Sequence, residues 1–323
     1  MSERKFKLFD LNKDGKGVEL HEDDGPPNLV RFFKQYKRKF SRLLSVNIFM
    51  VLGCFPIFFL GFAIAGFGTI ESSLQTSPMF PAVYALSKFD SSPIAQALNT
   101  VYAVPSLLNV NTPLTYIFIA LSLLIFVTFG LTNVGTTYIL RNLAKGDPVF
   151  MWSDFWYAIK RNWKQGIILG VIDLICSVIL VFNVSFYFQR LDGTFMPGIM
   201  FYVSLAMVIL YFFMRFYMYI LLVTFDLSIF KILKNSLIFS IIGFKRNIMA
   251  AIGMFILVAL NFLVFLYIQP LGIVLPLVVT VSNCAFMSTY AAWFKIKEIM
   301  IDPYENEIHQ DSNLSVIIDD VNE

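Results

Sequence analysis

An all-α, polytopic membrane bundle is the fold class that the sequence predicts, and three observations predict it. The 323 residues are 57% hydrophobic and 16% aromatic but only 15% charged, whereas an average globular chain carries about a quarter charged residues. The apolar residues gather into runs near the ~20 residues that a helix needs to cross a ~30 Å hydrocarbon core. The cations lie almost entirely on one side of those runs.

Six spans follow, roughly 42–66, 114–140, 165–187, 197–224, 248–268 and 271–293, each bounded by charge, proline or a polar stretch. The chain is thereby divided into a 1–41 tail ending in a basic amphipathic helix, a 42–293 membrane domain with an outer loop at 67–113, and an acidic tail at 294–323. With both termini cytoplasmic, the inside segments hold 22 of the 25 Lys and Arg residues, which fits the positive-inside rule. A multi-pass protein of the cell membrane is expected. No signal peptide is expected, because 41 mostly polar residues precede the first span.

Taking the elements in order, NLVRFFKQYKRKFSRLL places Leu29, Phe32, Phe33, Tyr36, Phe40 and Leu43 at helical spacing, with Arg31, Lys34, Lys37, Arg38, Lys39 and Arg42 on the other side. Such a helix lies on an anionic inner leaflet, each cation contributing on the order of 1 kcal/mol. The lipid bilayer is therefore the first expected partner. The loop between the first two spans is too long and too apolar for a plain linker and predicts a small cap with short helices. Before the third span, VFMWSDFWYAIKRNW sets Asp147 and Pro148 as helix cap and first turn. It then runs a stripe of Val149, Trp152, Trp156, Ile159 and Trp163. Tryptophan favours the headgroup level, so Trp152, Trp156, Trp163, Lys160 and Arg161 are expected membrane-interface anchors. A similar segment, 226–247, precedes the fifth span and ends on Lys245, Arg246 and Asn247. The triplets at 37–39, 160–162 and 245–247 read either as three helix pairs built alike or as the positive-inside rule acting three times. Only Gln269, Pro270, Leu271 and Gly272 separate the last two spans, so this joint is a boundary between spans, a tight hairpin or one broken helix. The closing tail carries eight acids against Lys295 and Lys297 and is expected to stay solvated.

Two charges fall inside spans. Asp173 and Arg215 both lie roughly 12–14 Å deep on adjacent helices. A lone charge there costs about 2.5–3.5 kcal/mol on insertion scales, so the two are expected to pair. Asn47, Asn133 and Asn283 fall at similar depth. With Asp173 and Arg215 they form a candidate polar layer, readable as a ligand site or as interhelical hydrogen bonding. DLNKDGKGVELHE imitates a calcium loop, but His21 stands where the bidentate Glu belongs, so a polar turn is favoured and no metal is expected. Cys54, Cys176 and Cys284 read as small buried apolar side chains. The two histidines, His21 and His309, are in the tails. Neither a nucleophile–base arrangement nor a Gly-rich phosphate loop appears, so a catalytic function, a cofactor and nucleic acid are not expected.

From Asn133 to Gly170 the sequence resembles the signature region of the YesL-like family, bacterial membrane proteins carrying a domain of unknown function. Gly135, Thr136 and Thr137 stand at its Gly-containing helical turn, Arg141 at its helix end, Gly146 and Asp147 at its Gly-acid pair. Asn162, Trp163, Lys164 and Gln165 stand at its closing "NFKQS", with Trp163 for Phe and Gly166 for Ser. Val46, Asn47, Pro56 and Ile57 are similar to its first-span pattern, and Lys234, Asn235 and Ser236 resemble a later "KNA". The resemblance implies an accessory role beside carbohydrate uptake, with ABC importer permeases or a sensor kinase as partners. A small-solute transporter using Asp173 and Arg215 is the competing expectation.

Overall fold

The computed structural model describes residues 28–74, 77–89, 92–102, 106–191 and 195–304. In chain order they form α1 (Leu29–Cys54), α2 (Pro56–Ile64), β1 (Thr69–Leu74), α3 (Phe80–Phe89), α4 (Pro93–Tyr102), β2 (Ser106–Asn111), α5 (Pro113–Ser122) and α6 (Ile125–Lys145). There follow α7 (Met151–Phe188), α8 (Phe195–Thr224), α9 (Ile229–Ile242), α10 (Phe244–Tyr267), α11 (Gln269–Leu275) and α12 (Val281–Ile296). Wider, π-helical turns at Pro276–Thr280 and Lys297–Ile301 flank α12. Among the described residues five helical stretches are long and apolar enough to cross a membrane: Pro113–Lys145, Met151–Phe188, Phe195–Thr224, Phe244–Tyr267 and Gln269–Tyr304. A sixth is reached if α1 and α2 count as one span. The chain is a multi-pass, all-α membrane protein. The candidate calcium loop, both histidines and the end of the acidic tail lie outside the described residues.

The chain divides into two compact units, one of Met1–Gly53 with Phe126–Glu323 and one of Cys54–Ile125. In the first, α8 is central: the run from Phe216 to Val223 is buried throughout. Close helix crossing is bought with glycine, because a bilayer gives helices little hydrophobic reason to associate and small residues let backbones approach. Gly130 of α6 meets Gly166 and Gly170 of α7, and a Cβ added at Gly170 would stand 2.3 Å from the Gly130 Cα. Gly135 opens the slot that the Phe155 ring fills, and that ring stacks on Phe49 at 4.6 Å.

Helix ends obey the dipole. The C-terminal carbonyls of α6 and α8 are unpaired within their helices and carry partial negative charge, so each takes a cation. Lys39 Nζ donates to Leu143 O at 3.2 Å, and Arg141 Nη1 donates to Val223 O at 2.9 Å. Lys39 is thus buried with Gln35 on the inward stripe of α1, a correction to its expected place on the cationic side opposite the apolar stripe. The helix-cap expectation at Asp147 is also corrected. Gly146 adopts φ 98°, and the Gly146 and Asp147 amides both donate to Asn142 O at 3.1 and 3.0 Å. Asp147 therefore helps to close α6, paired to Lys145 at 2.8 Å. At the start of α7 it is Asp154 Oδ2 that accepts from the Phe150 amide, at 2.9 Å.

The last two spans form a hairpin. Ile268 leaves helical geometry (φ −138°, ψ 75°), and Gly272 packs directly on Phe265, whose Cα an added Cβ would approach to 2.3 Å. Backbone groups freed by the π-helical turn must be satisfied without water. Asn47 does this from α1: its amide nitrogen donates to Pro276 O and Leu277 O at 3.2 and 2.6 Å, and its oxygen accepts from the Ser282 amide at 2.7 Å. Glu298 and Asp302, at the start of the expected solvated tail, stay about half accessible while ion-paired. Glu298 pairs with Arg246 and Lys295 at 3.1 Å each, and Asp302 with Lys297 at 3.9 Å.

The second unit contains the short helices expected there and a two-stranded ribbon that was not expected. β1 and β2 pair antiparallel from Thr69 opposite Asn111 to Leu74 opposite Ser106. Gly66 starts the ribbon at φ 81°, a backbone conformation that favours glycine. The Gly68 carbonyl closes its base by accepting from the Thr112 amide at 3.0 Å and from the Thr115 hydroxyl at 2.6 Å.

Candidate functional site

Tyr211, Arg215 and Tyr219 recur every fourth residue on α8 and so occupy one stripe. Facing them from α7 is Asp173, with no solvent-accessible side-chain surface. Its Oδ1 accepts from the Tyr211 hydroxyl at 2.7 Å, and its Oδ2 accepts from Arg215 Nε at 3.0 Å and from the Tyr219 hydroxyl at 2.9 Å. A carboxylate carried into an apolar interior is stable only when paired and hydrogen-bonded, and three donors meet that need. The pairing of Asp173 with Arg215 expected from depth is present. The two tyrosines escaped the sequence reading, although their four-residue spacing about Arg215 was a usable signal.

Arg215 is less complete. Its side chain is 40% accessible, its guanidinium stands over the Phe129 ring at 5.4 Å, and only Nε donates to an acceptor among the described residues. Guanidinium carries five N–H donors, so the terminal nitrogens are left without an acceptor among the described residues.

The other members of the expected polar layer do not join this cluster. Asn47 serves the π-helical turn. Asn133 donates to Phe129 O on its own helix at 2.9 Å. Asn283 is buried on α12 with neither amide atom hydrogen-bonded among the described residues, an uncommon state for a buried polar group. The residues expected as interface anchors, Trp152, Trp156, Trp163, Lys160 and Arg161, are all exposed, while Val149 and Ile159 of the expected stripe turn inward. A break in helical geometry at Asn162 (φ −120°, ψ 17°) kinks α7 between that segment and the span. Among the described residues no group of three or more His, Cys, Asp or Glu side chains is placed to hold a metal ion, and none of the three cysteines is in a disulfide.

Residues 110–184 match the family model described as "Protein of unknown function, DUF624". The match takes in α5, α6 and α7 as far as residue 184, with Arg141, the kink and Asp173, and stops short of the α8 stripe. No curated protein and no solved structure matches the chain.

Proposed function

We propose that the chain is a non-enzymatic membrane protein that works as an accessory partner of another membrane complex. The observation that carries this reading is the incompletely paired guanidinium of Arg215 within a span, partly accessible and with only Nε hydrogen-bonded among the described residues. A charge exposed to hydrocarbon costs about 2.5–3.5 kcal/mol, and a partner helix offering a carboxylate or free carbonyls removes that cost. Asp173, by contrast, is closed on three donors, which argues against a role in relaying protons.

The YesL-like resemblance supplies the partner class: the permease of a carbohydrate ABC importer, or its sensor kinase, in a bacterial cell membrane. Cation placement supports cytoplasmic termini. Gentle detergent extraction of the tagged chain should co-purify permease or kinase subunits, and a lone protein on repeated extraction would overturn the reading.

One observation favours a second reading. The same accessible guanidinium suits an anionic solute, which would make Arg215 part of a small-solute transporter. Replacing Arg215 by Met separates the two: a transporter loses flux of its solute in vesicles, whereas a partner surface loses the partner.

A further inference from the structure

Where α7 kinks at Asn162, a polar cavity of about 340 Å³ opens between the kink and the last turn of α8. Its walls carry Arg161, Asn162, Trp163, Lys164 and Gln165 on one side and Asp226 on the other. Arg161 and Lys164 have no ion pair among the described residues. Arg161 reaches only the Tyr157 hydroxyl, at 3.5 Å, and Lys164 stands over the Trp163 ring at 5.5 Å. Two exposed cations supply a donor set that suits phosphate oxygens, while the Asn162 and Gln165 amides each spend one N–H on a backbone carbonyl, of Ala158 at 3.1 Å and of Leu227 at 3.3 Å, and keep one to offer. Trp163 sets the depth, since indole settles where hydrocarbon meets headgroups. A surface anchor would need only the cations. It would not need a concave polar pocket floored by a helix kink.

We propose that this cavity is a phosphate-recognition site, taking the headgroup phosphate of a phospholipid in the leaflet that the kink adjoins, or a soluble phosphate of the same chemistry. Asp226 tunes the choice. Two cations against one carboxylate leave a single net positive charge, which matches the one charge of a phosphodiester and disfavours the second charge of inorganic phosphate. The site is independent of Arg215 and of the partner reading, and only the naming of the leaflet as cytoplasmic rests on the proposed orientation.

Native mass spectrometry of the full chain, released from a phosphate-free maltoside micelle, tests this with phosphatidylglycerol as the probe. The wild type retains one phosphatidylglycerol. Arg161→Gln with Lys164→Gln weakens retention about twenty-five-fold, two cations at roughly fivefold each, and the charge-conserving Arg161→Lys with Lys164→Arg restores most of it. Lys231→Gln with Lys234→Gln, cations outside the cavity, leaves retention unchanged. Competition by inorganic phosphate names the source: failure to displace the lipid assigns the headgroup, and displacement assigns the soluble anion. Equal retention of phosphate-free diacylglycerol, or undiminished phosphatidylglycerol binding by the Gln pair while the chain still runs as a folded monodisperse species, overturns the proposal.

Discussion

Replacing Asp173 by Ala removes the acceptor of three hydrogen bonds that join α7 to α8. Taken singly, bonds to a charged group contribute about 1.5–3 kcal/mol each, but that sum overstates the loss. Neutral interhelical bonds in bilayers average only about 0.6 kcal/mol. Removing one member of a buried pair costs about 3–5 kcal/mol, which we take as the expected destabilisation. For a chain of this size that corresponds to a fall of roughly 10 °C in Tm, read as loss of the monodisperse peak in detergent on heating. A combined variant, Asp173→Leu, Arg215→Met, Tyr211→Phe and Tyr219→Phe, leaves no orphaned polar atom and should recover most of the loss. A single Asp173→Ala chain that melts within a degree or two of wild type would refute the view that this cluster clamps the two helices.

Three further outcomes are expected by the same melting assay. Asn47→Leu leaves two carbonyls and the Ser282 amide without partners, and at about 1–3 kcal/mol per unmet group it should destabilise at least as much as any single change at the clamp. Gly170→Ala drives a methyl group into the Gly130 backbone and should cost about 1–3 kcal/mol through overpacking, where the same change at Gly198, which meets open space, should be silent. Asn283→Leu should leave Tm unchanged or raise it, because a buried amide without partners opposes folding. A clear fall would show that Asn283 has a partner in the folded protein.

The spans were legible because a bilayer tolerates few sequences, and the pairing of Asp173 with Arg215 was legible because depth left each charge little alternative. Lys39 shows where reading by charge misled. It is seven residues from Phe32 and four from Leu43, so spacing alone puts it on the buried stripe, and its target, the end of α6, is 104 residues away. Asp147 was assigned to the wrong helix because Gly146, a strong terminator in left-handed geometry, precedes it and recruits its amide to close α6. The ribbon of β1 and β2 lacked a local signal altogether, since its strands are short and far apart in sequence. For the candidate site, the acidic half was visible as a lone carboxylate. The tyrosines were hidden among the many aromatics of α8, while Asn47 proved to serve the backbone of the final hairpin and Asn133 that of its own helix.

Asn47 also bears on how the protein is made. A ribosome delivers α1 to the membrane long before residues 276–282 exist, so the first span waits with a buried amide that has nothing to grip. When the final hairpin arrives, its π-helical turn brings two free carbonyls and one free amide proton, and a single side chain from the start of the chain answers all three. This contact between α1 and the final hairpin therefore forms only after residues 276–282 have been made. A nascent chain truncated before Pro276 holds an unanswered amide in the bilayer, a physical mark of incompleteness that disappears only when synthesis of the last span is done.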